Sequence, residues 1–174
     1  MIHGMPFLFG KMPAVGDFVG RGLREEQRLS WDQRCSASMV ASRRTLGSQF
    51  DDVFEVTRPY GFFIEPSHAD PWWQFGWIAP SCDRTGRLYP LVVGLASSRT
   101  AGIPADALAH GLASVIQAAV AESLPPDLVI ERIAAVSSLK QSVSAGSSLL
   151  RPWRKDWMML AEIPQHEWKA VRCL

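Results

Sequence analysis

Apolar and polar positions alternate with two different periods along this chain, and the changes of period mark its elements. Residues 6–9 (PFLF) form a short apolar run closed by Gly10, which predicts a first or edge strand. From Arg24 to Leu46 the period lengthens: Trp31, Cys35, Met39, Ser42 and Leu46 recur at steps of three or four and share one helix face. Gly47 stands where a helix C-terminal cap belongs, after Arg43 and Arg44 have met the negative end of the dipole. Three strands are predicted next. Tyr60–Glu65 is aromatic and bounded by prolines, and Gln74–Ala79 alternates through Phe75, Trp77 and Ala79. Leu88–Ala96 is a nearly continuous apolar run of the kind buried on both faces. Between the last two lies SCDRTGR, whose Asp83 and Gly86 are turn formers; it reads as a hairpin loop that makes them antiparallel neighbours.

Pro104 opens the clearest helix, at a position where its missing N–H costs nothing, and Pro125-Pro126 closes it. Its inward stripe is Leu108, Leu112, Val115, Ile116, Ala119 and Val120. A shorter helix is predicted over 127–136 with Val129, Ile130 and Ile133 inward, then a serine-rich loop over 137–148, a strand over 156–163 and a last helix over 164–171. The stretch Lys11–Gly22, broken by Pro13, Gly16, Gly20 and Gly22, reads as an ordered loop with several sharp turns. Helices on both sides of a central run of strands predict a three-layer α/β/α sandwich with a mixed, largely antiparallel sheet. With 174 residues, one domain spanning 1–174 is expected.

Composition narrows the function classes. The net charge is +1 and no block of like charges occurs, so a general nucleic-acid binder is not expected. Cys35, Cys82 and Cys173 are odd in number and lack CxxC spacing, which argues against a disulfide framework or zinc ribbon and for a reducing compartment. Met1–Gly10 has no Lys or Arg ahead of its apolar stretch, unlike a secretory signal. The uncharged run 107–121 is shorter than the roughly 18–20 residues a membrane span needs, so a cytoplasmic protein without membrane insertion is expected.

Candidate chemistry is sparse. GDFVGRG (residues 16–22) resembles half of a metallophosphatase turn, but Gly20 replaces the second Asp and neither flanking ligand motif is present. His68, Asp70 and Asp83 lack metal-ligand spacing, and EPSHADP carries Ser and Asp where turn chemistry alone wants them. No catalytic residue, metal or cofactor is assigned. Two loops carry charge that a core cannot absorb: Lys11, Asp17 and Arg21 in the first, and Asp83, Arg84 and Arg87 in the second. Their arginines either pair with Asp17 or Asp83 across the loops or stay free to clasp a partner's carboxylate or phosphate. Trp72 and Trp73 are adjacent and cannot face the same side of a strand, so one of them is a candidate exposed anchor.

The same loops resemble a family. FGKMPAVGDFVGRGL (9–23), then Trp31-Asp32, then PSCDRTGRLYPL (80–91) are similar to the N-terminal domain of TagF proteins, accessory proteins of bacterial type VI secretion. Phe9, Gly10, Lys11, Pro13, Gly16, Asp17, Phe18, Val19, Arg21, Gly22 and Leu23 match the first block; Pro80, Ser81, Asp83, Gly86, Arg87, Pro90 and Leu91 match the last. Met12 and Tyr89 stand where the family has Leu and Phe. The likeness covers about residues 7–96, and the segment 149–174 lacks the Ser-Leu-Trp-Trp-like stretch associated with the family. The resemblance implies a layered α/β/α domain and a non-enzymatic, cytoplasmic repressor that binds the forkhead-associated scaffold of the secretion apparatus. Lys11, Asp17, Arg21, Trp72, Trp73, Asp83, Arg84 and Arg87 become candidate partner contacts, with Gly10, Pro13, Gly16, Gly22, Gly86 and Pro90 shaping the loops. The alternatives are a degenerate phosphoesterase using the GDFVGRG turn and a structural subunit of the apparatus.

Overall fold

The structure, a computed structural model, describes residues 4–64, 66–68, 70–98 and 105–138. Five strands, β1 (Met5–Lys11), β2 (Phe18–Arg21), β3 (Tyr60–Ile64), β4 (Trp73–Ala79) and β5 (Leu91–Ser97), form one sheet in the order β2-β1-β5-β4-β3. Every pairing is antiparallel, so the sheet among the described residues is more uniform than the mixed one expected. The reading of 11–22 as loop is corrected over β2, which pairs with β1 from Lys11↔Phe18 to Leu8↔Arg21. β5 also starts three residues later than its apolar run, because Leu88 bridges back to Cys82 and Tyr89 N donates to Ser81 O, closing the loop first.

Both faces of the sheet are covered. Leu8, Val19, Phe75, Trp77, Leu91, Val93 and Leu95 pack on α3 (Ala105–Ala121) and α4 (Pro126–Ser138), burying Leu112, Ile116, Val129 and Ile133. The predicted α3 stripe is buried at every position. Phe7, Phe9, Phe62, Val92 and Ala96 face the other way, against Trp31 and Cys35 of α1 (Glu25–Leu46). Strict alternation along β1 and β5 assigns successive side chains to opposite cores, which is why these strands read as unbroken apolar runs. Helix α1 starts with Glu25 and Glu26 and ends with Arg43 and Arg44, both matched to its dipole, and Gly47 closes it at φ 54°. A 3₁₀ turn (Gly47–Gln49) and a short α2 (Phe50–Val56) follow, neither of them anticipated.

Among the described residues no helix is long and apolar enough to cross a membrane. Pro104 and the predicted elements over 139–148, 156–163 and 164–171 lie outside the described residues. Cys35 is a buried thiol.

Candidate functional site

The β1–β2 loop (12–17) and the β4–β5 loop (80–90) leave the same end of the sheet, because Gly10 of β1 lies opposite Leu91 of β5. Backbone bonds dock one on the other: Arg84 N donates to Val15 O (2.8 Å) and Lys11 N to Pro90 O (3.4 Å). Arg87 Nη2 adds a third link to Gly16 O at 2.7 Å. Pro13 occupies the turn that Val15 N closes onto Met12 O, a position suited to its fixed φ.

Asp83 is the hub of this junction. Its side chain is wholly inaccessible, and Oδ1 accepts from Thr85 N (3.0 Å), Thr85 Oγ1 (2.7 Å) and Arg87 N (3.0 Å). Its Oδ2 lies 2.9 Å from Lys11 Nζ and 2.7 Å from Arg87 Nε. Burial alone raises such a carboxyl, but bonds from Thr85, Lys11 and Arg87 outweigh it and hold Asp83 well below the usual carboxylate range. A folded value below the unfolded one means that the ionised carboxylate stabilises the fold. That contribution is complete above the unfolded value and disappears as pH falls through the folded one. Acid titration of the folded protein should therefore show stability falling below about pH 5, and Asp83→Asn should flatten that slope. An unchanged slope in the variant, read by chemical denaturation at each pH, contradicts this role.

A second cluster backs the hub. Tyr89 OH lies 3.3 Å from Asp32 Oδ1 and 3.2 Å from Ser36 Oγ, tying the loop to α1. The neighbouring Trp31 is buried and donates Nε1–H to Gln74 Oε1 at 2.8 Å. Burial, and after it the Asp32 charge, pushes the Cys35 thiol up to about 12, so it is no nucleophile. Phe18 at the start of β2 meets Tyr89 edge-on, centroids 4.6 Å apart, and Lys11 Nζ lies 5.2 Å from its ring centre.

The candidate residues thus part company. Lys11 and Asp83 are buried and committed to each other, Arg87 is half committed, and Asp17 and Arg84 are exposed beside them. Asp17 Oδ1 accepts from Phe18 N (2.8 Å), holding its own turn. Arg21 stands at the other end of β2, 3.6 Å from Asp127 on α4, and pairs with neither loop carboxylate. Gly10, Gly22 and Gly86 have positive φ; Gly10 lies within β1, Gly22 just past the far end of β2, and Gly86 in the β4–β5 loop. A side chain on Gly16 would meet Arg84 Nη2 at 3.2 Å, and buried Pro90 supplies the carbonyl that Lys11 uses.

Trp72 and Trp73 do not join this face. They sit at the beginning of β4 and the loop at its end, a separation of about 20 Å along a seven-residue strand. Both are half-buried: Trp72 under the Arg24 guanidinium (5.4 Å) and Trp73 against Phe63 (4.9 Å). Asp70 lies at that far end, accepting from Gln27 Nε2 (3.0 Å), Gln74 Nε2 (2.9 Å), Trp72 N (3.1 Å) and Arg24. Among the described residues no three His, Cys, Asp or Glu side chains converge on a possible ion position. Sequence reasoning missed Thr85, although Asp-x-Thr is the spacing of a side-chain-capped turn, and it missed the Gln27–Asp70–Gln74 network altogether.

Residues 8–140 match the family described as the TagF N-terminal domain, type VI secretion system-associated. The fold is similar to the crystal structure of PA0076 from Pseudomonas aeruginosa PAO1, with a TM-score of 0.68 and 25% identity. The likeness covers 75% of this chain and spans 62% of that one. No curated protein matches the chain.

Proposed function

The chain belongs to the TagF N-terminal domain family of type VI secretion, and from that premise we propose that it restrains the secretion machine after translation, in the cytoplasm, by binding the forkhead-associated scaffold rather than by catalysis. The observation that carries this reading is the use made of the charged loop residues. Lys11, Asp83, Thr85 and Arg87 bond to one another and lock two loops into one shaped face. A reaction centre needs a base, nucleophile or ligand set held ready for substrate. Here the Asp17 carboxylate serves its own turn, and Gly20 stands where a phosphatase turn carries its second carboxylate.

Overproduction of the chain in a secreting cell should lower export of the tube protein, and the scaffold should co-purify with it. Undiminished export with no scaffold captured contradicts the proposal. Manganese or iron bound to the purified protein, lost together with phosphate release in Asp17→Asn, favours the enzymatic alternative instead.

A further inference from the structure

The bonds that fix the hub also leave a defined part of it facing solvent. Arg87 is anchored through Nε to Asp83 and through Nη2 to Gly16 O, yet its side chain remains 59% exposed. Its guanidinium is therefore held in one orientation before any partner arrives, and that ordering cost is not charged again on binding. Arg84, on the same hairpin tip, is exposed and makes no ion pair among the described residues. Beside them Phe18 is 47% exposed, its ring held by Tyr89, Phe9 and Lys11. Arginine and aromatic side chains held rigid at a surface are the residue types that dominate interface energies.

Resting on the proposed restraint by partner binding, we infer that this corner takes an acidic segment of the partner protein. An apolar side chain of that segment would lie on Phe18, and flanking Asp or Glu carboxylates would reach Arg84 and Arg87. Charge complementarity selects this occupant. Lys11 and Arg87 share the one buried carboxylate of Asp83, and Arg84 adds an exposed positive charge that makes no ion pair among the described residues. The nearby Asp17 and Asp32 carboxylates are engaged by Phe18 N and Tyr89 OH. A carboxylate accepts the forked donors of a guanidinium in a planar pair. The single half-exposed aromatic ring gives the site an apolar contact that a purely ionic ligand would not use.

The test uses the full chain and labelled peptides in which glutamates flank one leucine, with lysine and phosphoserine versions as comparators. Fluorescence anisotropy at low salt should show the glutamate peptide bound at least about tenfold more tightly than the lysine one, with affinity falling as salt rises. Arg84→Ala should weaken it by about fivefold or more at unchanged thermal midpoint, since that side chain is exposed. Phe18→Ser should weaken it as much, with a modestly lowered midpoint because the ring also packs on Tyr89 and Phe9. Equal binding of the glutamate and lysine peptides, or indifference to both substitutions, overturns the inference. Binding of the phosphoserine peptide alone overturns the choice of carboxylate. Scaffold capture by the same variants separates the two readings: wild-type levels in both leave the restraint standing and remove this corner from it.

Discussion

Replacing Asp83 by alanine is expected to lower the thermal midpoint by about 10 °C or more, the largest effect of any single charged residue in the loops. The substitution leaves the Lys11 ammonium, only 9% exposed, with no opposing charge, and strands the donors of Thr85 and Arg87. Removing one member of a buried pair typically costs about 3–5 kcal/mol, far more than the pair adds relative to an apolar replacement. Lys11→Met should be milder, because Asp83 keeps Arg87 and its turn donors; about 1–2 kcal/mol is expected. Adding Lys11→Met to Asp83→Ala should then restore part of the lost stability, since it removes the orphaned ammonium. Chemical denaturation of the four proteins reads this cycle. Simple additivity, or a loss below about 1 kcal/mol for Asp83→Ala, contradicts the hub.

The second large effect is expected at Gly10. Its φ of 123° is a backbone conformation that side-chain-bearing residues rarely adopt, and a Cβ there would lie 2.0 Å from Pro90 O. Neither neighbour can give way cheaply: Gly10 pairs with Val19 and Leu91 at once, and Pro90 O also accepts the Lys11 N–H. Gly10→Ala should therefore cost about 3 kcal/mol or more and loosen both loops together. Gly47→Ala is the matched control. It also has positive φ, 54°, but its Cβ would meet nothing within 4 Å, so only the backbone strain remains and a smaller loss, about 1–2 kcal/mol, is expected. Comparable losses for the two alanines, measured by urea unfolding, contradict the steric account.

Period and punctuation made most of the sheet and the long helices legible. Prolines bracket β3 and β4, and the stripe of α3 repeats over enough turns to leave no competing reading. Strand β2 was hidden because its four residues, FVGR, are too few to show a period; pairing with β1 makes it a strand. Short α2 had Phe50, Val53 and Phe54 at helical spacing but only two turns in which to show it. The meeting of the two charged loops followed from the antiparallel neighbours and the family pattern. Depth did not follow: nothing in the order of residues says that Lys11 and Asp83 are buried while Arg84 is exposed. Arg21 was grouped with the hub by proximity along the chain, yet three residues of strand carry it about 10 Å away. The tryptophan pair was misplaced for a related reason, since residues before and after one strand must lie at opposite ends of the sheet.

Hydrogen–deuterium exchange of the chain with and without the secretion scaffold addresses the central claim most directly. The docked-loop account predicts slower exchange on complex formation at the amides of 15–21 and 84–87, with the Asp70 end of the sheet unchanged. Protection confined to the Asp70–Trp73 end, or none anywhere while the two proteins remain bound, would show that the paired loops are not where the partner sits.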